Sequence, residues 1–142
     1  MSALIRHKAV LTTATAERLA QAGLAYARSN SMVVAVAVVD DGGAAIVLIR
    51  MDGANPAVAD LALDKAHTSA NTGAPTEAFG ELMLSRPGLA LGLSNRPRLL
   101  TWGGGVPVRV DGHVVGAIGV SGGPEDDDIA CARAALAALD LG

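Results

Sequence analysis

Residues 106–120 read VPVRVDGHVVGAIGV. Two apolar runs, 106–110 and 113–120, flank Asp111-Gly112, and Asp-Gly between such runs is the strongest short-range signal for a β-hairpin. Pro107 has no N–H to give to a ladder, so its strand belongs at a sheet edge, or Pro107 at the strand's beginning. The same pattern occurs upstream. MVVAVAVV (32–39), Asp40-Asp41-Gly42-Gly43 and AAIVLIR (44–50) read as strand, tight turn and strand. These runs are apolar on both faces instead of alternating, which predicts a sheet covered on both sides, by helices or by another subunit. A short further strand is expected at Leu99–Trp102, ahead of Gly103-Gly104-Gly105. Gly116 and Gly119 weaken the strand they sit in unless a helix backbone or a flat ligand packs there.

Helices fill the rest. Thr13 or Thr15 caps a first helix running to about Ser29, after a loose arm or edge strand in the first ten residues. Asn55-Pro56 opens a second, with Asn capping and Pro suited to the first helical position. Gly73 ends it. Pro75-Thr76-Glu77 opens a third to about Arg86, and residues 87–98 read as loop. Ser121-Gly122-Gly123-Pro124 leads into a last helix, about Glu125–Leu139, whose first turn holds Glu125, Asp126, Asp127 and Asp128, where negative charge suits the helix dipole. Tight hairpins, not helical crossovers, connect the strands. The expected fold is therefore α+β: an antiparallel sheet of about five strands with helices packed on it.

The 142 residues make one domain, 1–142, without repeats or linkers. With 51% apolar and 18% charged residues, the chain has enough apolar surface to fold. Eleven Lys+Arg against 14 Asp+Glu exclude a basic nucleic-acid module. One Cys excludes a disulfide scaffold and a Cys-rich zinc site. No run of about 18 apolar residues escapes a charge or a Gly/Pro break, so no membrane span is expected. No apolar signal core follows Arg6 and Lys8, which points to a cytoplasmic protein. Mean hydropathy is +0.39, and only Tyr26, Phe79 and Trp102 are aromatic. So greasy a surface on so small a chain predicts a homo-oligomer.

The second helix carries the most chemistry. Asp60, Asp64, His67 and Asn71 form one polar stripe, while Val58, Ala62, Ala66 and Ser69 form a small-residue face roughly opposite. The stripe is a solvated face, or else His67 is an axial metal ligand or general base. Lys65 stands at the margin of the apolar face, where it either snorkels outward or meets an anion in a pocket. Arg50 can grip a carboxylate through two parallel hydrogen bonds, although Arg50 and Asp52 also suit a local pair in an Asp52-Gly53 turn. Gly122-Gly123 precedes a helix N-terminus, whose free N–H groups favour an anion. No Gly-Lys-Ser/Thr follows, so it is not a P-loop. Cys131 lies among alanines as an inert core position; His7 and His113 are surface residues.

VVDDGGAAIVLIRMDGA (38–54), ALDKAHTSANTGAPT (62–76), WGGGVPVRVDGHVVGAIGVSGG (102–123) and PEDDDIACARAAL (124–136) together resemble the GlcG/HbpS-type haem-degrading family, which also includes a C-terminal domain of a corrinoid adenosyltransferase. The resemblance implies a profilin-like α/β sandwich assembled as dimers into tetramers or octamers. It also implies haem or iron binding for some members and catabolic roles for others. Carried over by motif, the pocket would draw on Arg50 and Asp52, on Lys65, His67 and Thr68, and on Gly104, Gly105 and Pro107.

Three functions follow as expectations. In the first, haem lies in an apolar inter-subunit cleft, with Lys65 or Arg50 pairing a propionate and His67 or a threonine meeting the iron. In the second, a small-molecule enzyme (isomerase, hydratase or hydrolase) acts on an oxo or unsaturated carboxylic acid, with Lys65 and Arg50 holding the acid and Asp52 or His67 moving protons. In the third, the chain is a non-catalytic assembly module.

Overall fold

The computed structural model describes residues 2–142. Helix α1 spans Thr13–Ser29, strands β1 and β2 span Ala35–Asp40 and Ala45–Arg50, and helix α2 spans Ala57–Thr72. Helices α3 and α4 follow at Thr76–Ser85 and Pro87–Leu93, then β3 at Gly105–Val110, β4 at His113–Ser121 and α5 at Glu125–Ala138. The strands form one antiparallel sheet in the order β2-β1-β4-β3. The two hairpins lie where Asp40–Gly43 and Asp111-Gly112 place them, and β3 with its Pro107 is an edge.

The alternation inside β1 decides the layering. Val34, Val36 and Val38 face α1 and α5 in the larger core, with Leu19, Leu24, Ile118, Val120 and Leu136. Ala35, Ala37 and Val39 face α2, against Ala62, Ala66, Ala70 and Ala117. Methyl groups on both sides of the second interface let α2 lie close to the sheet. At Gly119 a Cβ would fall on the Ala62 carbonyl, and at Gly116 on the Val39 carbonyl. Close backbone approach therefore explains both in-strand glycines, with no flat ligand needed.

Three expectations are corrected. The sheet has four strands, not five. Leu99–Trp102 is irregular because α2 meets its backbone groups: Thr68 Oγ1 donates to the Arg98 carbonyl at 2.8 Å and accepts the Leu100 N–H at 3.0 Å. The segment 87–98 is not all loop, since Pro87 starts α4 at a position where its missing N–H costs nothing. Thr12, not Thr13 or Thr15, caps α1, accepting the Thr15 N–H at 3.2 Å. Of the two readings of the first residues, the arm holds: Lys8 pairs with Asp41 at 2.9 Å, and the Leu11 N–H reaches the Val115 carbonyl. Asn55 acts as expected, its Oδ1 accepting the Ala57 N–H, and Gly73 ends α2 at φ 70°.

Candidate functional site

Lys65 does not stand at a rim. It is 0% exposed, directed from α2 toward the end of β4 and the first turn of α5. Its Nζ donates to the Val120 carbonyl at 3.0 Å and to Asp128 Oδ2 at 3.2 Å. The Trp102 ring centroid lies 5.8 Å away, within cation–π range. Asp128, 2% exposed, accepts the Gly123 N–H at 3.0 Å on its other oxygen. Burial pushes the Lys65 amine below its usual range, opposed by the Asp128 charge. Burial likewise raises the Asp128 carboxyl, opposed by Lys65 and by the Gly123 N–H. Each charge is tolerated in this dry setting because the other is present.

Gly104 and Gly105 close this pocket. Gly104 has φ 128°, and a Cβ there would meet Lys65 Nζ at 2.9 Å; at Gly105 it would strike the Lys65 carbonyl. The Gly105 N–H donates to Thr76 Oγ1 at 2.9 Å. The structure thus gathers Lys65, Gly104 and Gly105, but around Asp128 and not around an open cleft. The anion expected at Gly122-Gly123 is this chain's own carboxylate. By sequence alone Asp128 is one of four acids in the same helix turn. Its helical phase with Cys131, Ala132 and Ala135, all buried, is the signal that separates it from Glu125, Asp126 and Asp127, which are exposed.

The other sequence candidates lie apart. Arg50 gives its guanidinium to the Ala54 carbonyl at 2.7 Å, and Asp52 is exposed in the turn between them; neither joins Lys65. Thr68 is buried and holds the 98–100 backbone, as described above. Pro107 is buried in β3. His67 and Asn71 hold the β1–β2 turn: His67 Nδ1 lies 3.4 Å from the Gly43 carbonyl, and Asn71 Nδ2 donates to the Gly42 carbonyl at 3.1 Å. Asp64 pairs with Arg98 at 3.2 Å. Most of the polar stripe therefore clamps loops, and His67 lines none of the cavities described here. Cys131 is buried, and its thiol is pushed up to about 12, so it is inert.

One apolar cleft had no counterpart in the sequence reading. It lies between α3, α4 and residues 99–101, has a volume of about 430 Å³, and is lined by Phe79, Met83, Leu84, Leu93, Leu99 and Thr101 among others. Its wall contains no titratable side chain. Residues 82–110 hold no Asp or Glu and four arginines. Arg98 pairs with Asp64 and Arg109 donates to the Gly73 carbonyl. That leaves Arg86, between α3 and α4, and Arg96, just past Ser94 of the lining, without an ion pair among the described residues. Leu84 of the lining and Leu91 of α4 are 88% and 78% exposed. Each signal is present in the sequence, but the loop expected at 87–98 leaves the cleft without its α4 wall.

Comparison with known proteins agrees with this fold. The family model described as haem degrading protein HbpS-like matches residues 11–137. The chain belongs to the HbpS-like family. It is 36% identical over 117 residues to protein GlcG of Escherichia coli strain K12, covering 82% of this chain and 85% of that one. The crystal structure of HbpS superposes with a TM-score of 0.89 at 34% identity, covering 98% of this chain and 96% of that one. A crystal structure of a PduOC–heme complex superposes at 0.85 with 29% identity, covering 94% of this chain and 97% of that one. Among the described residues of this HbpS-like protein, no helix is long and apolar enough to cross a membrane.

Proposed function

We propose that this HbpS-like protein binds haem in the α3–α4 cleft. The observation that carries the reading is an uncharged apolar slot whose lining segments adjoin, in sequence, two arginines without an ion pair among the described residues, Arg86 and Arg96. Ligand pockets of roughly 300–1,000 Å³ suit small molecules, and this one falls in that range. The slot suits a guest with a greasy, flat body and acidic arms. Phe79, Leu84, Leu93 and Leu99 would cover the macrocycle. Arg86 and Arg96 would pair with the propionates. Met83 sulfur and the Thr101 hydroxyl are the lining groups able to face the iron; methionine is a known haem ligand type. Bound haem would supply redox-active iron. That related structures carry the names HbpS and PduOC–heme complex supports the same reading.

The cleft favours binding over turnover. Its wall offers no acid or base of its own, and Lys65 is engaged by Val120 and Asp128. Lys65 serves as a structural cation here, and Arg50 and Asp52 shape a turn. Haemin titration of the apo-protein tests the reading. A saturable Soret shift is expected, abolished by Leu93→Glu with the far-ultraviolet circular dichroism unchanged. Arg86→Glu should weaken binding up to roughly fivefold, as befits an exposed ion pair. No saturable Soret change would end the proposal, as would full binding by the Leu93→Glu protein.

A further inference from the structure

Helix α4 stands where its composition does not belong. Its sequence, PGLALGL, has no polar side chain on any face. A helix apolar all round suits a core or lipid. Yet no residue of α4 is buried, and of the other helices and strands it touches only α3. Leu89 and Leu91 are exposed, as are Leu82 and Leu84 on α3. A Cβ at Gly88 or Gly92 would meet nothing within 4 Å, so open space surrounds the helix at both points.

Charge around this helix is one-sided. Arg86 precedes α4, and Arg96 and Arg98 follow it, all three exposed. No Asp or Glu lies between residues 82 and 110, although the whole chain carries a net charge of −3. Glu81, exposed on α3, is the nearest acid in sequence. Asp64 takes Arg98 at 3.2 Å, which leaves Arg86 and Arg96 without an ion pair among the described residues. An apolar helix bracketed by arginines has the pattern of a segment lying in a membrane interface. Leucines enter the acyl boundary, and arginine stems run along them to the headgroups. At about 10 Å in length, α4 lies in the plane of such a surface; among the described residues no helix is long and apolar enough to cross.

We propose that α4, with the exposed leucines of α3, docks this protein on an anionic lipid bilayer. Leu84, Leu89 and Leu91 enter the boundary between headgroups and acyl chains, and Arg86 and Arg96 meet lipid phosphates. The arginines favour lipid over an apolar groove on another protein. Such a groove would have to place carboxylates at both ends of the helix, whereas an anionic bilayer offers negative charge all round the inserted leucines. The proposal does not depend on what fills the cleft between α3 and α4. Leu89, Leu91, Arg86 and Arg96 all stand outside the cleft's lining, so the docking face can be altered without altering that wall.

Co-sedimentation of the haem-free full chain with vesicles tests it. Vesicles of equal parts phosphatidylcholine and phosphatidylglycerol should carry down the wild type. Phosphatidylcholine alone should hold it at least roughly tenfold more weakly, and salt should weaken the anionic contact by screening it. Arg86→Gln and Arg96→Gln should each cost about fivefold in affinity. Leu91→Glu removes an exposed leucine and sets an acid among the arginines, so it should abolish binding with circular dichroism unchanged. Leu48→Ser, which alters an exposed leucine of β2, should bind as the wild type does. No binding to the anionic vesicles overturns the proposal, as does equal binding to phosphatidylcholine alone. Full binding by Leu91→Glu, or a loss in Leu48→Ser as large as in Leu91→Glu, puts the contact elsewhere and overturns it too. Since the vesicle assay contains no haem, a failed haemin titration leaves its result standing, and the two readings fall separately.

Discussion

Lys65 and Asp128 show how one residue's surroundings change its meaning. Read alone, Lys65 is a cation near an apolar face, and Asp128 is one of four acids at a helix start. Folded, the two share a dry pocket sealed by Gly104 and Trp102. Removing one partner leaves the other charge buried and uncompensated, which costs about 3–5 kcal/mol. Urea denaturation should therefore show Lys65→Met and Asp128→Leu each losing about that much. The double variant should lose clearly less than the sum, since neighbours in one ion pair are not additive. Additive losses would mean that the pair contributes nothing as a pair. The phase of Asp128 with Ala132 and Ala135 was readable from spacing; that its neighbour is Lys65, 63 positions away in the chain, was not. His67 makes the same point. Its place on a polar stripe was legible, but its partner, the Gly43 carbonyl, depends on how α2 crosses the first hairpin.

Elements were legible where local chemistry decides them. Both hairpins follow from Asp and Gly at their turns, and α2 follows from Asn55-Pro56 and Gly73. The small-residue face of α2 and the in-strand Gly119 are both local features, and the close approach of the Ala62 carbonyl to Gly119 joins them. Gly119→Ala drives a methyl into the Ala62 carbonyl, and overpacking of this kind costs about 1–3 kcal/mol. Gly92→Ala on α4 has nothing within 4 Å, and should stabilise by about 0.4–1 kcal/mol through the unfolded chain. Equal effects at the two sites in thermal melts would contradict this account of α2 packing. The misread elements share one cause. Residues 99–102 have the composition of a strand, but Thr68 takes the Leu100 N–H and the Arg98 carbonyl, and α3 packs against the Thr101 carbonyl at Gly80. Residues 87–93 have the Pro and Gly of a loop, but Pro87 sits where a helix can begin.

At the scale of the whole molecule, apolar surface exceeds what one chain hides. Leu48, Leu84 and Leu91 lie outside the cores, on two separate faces: the β2 edge and the α3–α4 cleft. If copies associate over this surface, folding is linked to association and the thermal midpoint rises with protein concentration. A hundredfold dilution should then lower it measurably; a midpoint independent of concentration would speak against association of this kind. By itself the sequence determined the hairpins, the helix ends, the α+β class and an excess of apolar surface, because turn residues and hydrophobic periods act over a few neighbours. Only the tertiary structure decided which acid meets Lys65, where the 99–102 backbone finds its partners, which sheet edge is left bare and where the apolar cleft opens. Those outcomes depend on how distant elements cross, and no local spacing encodes a crossing.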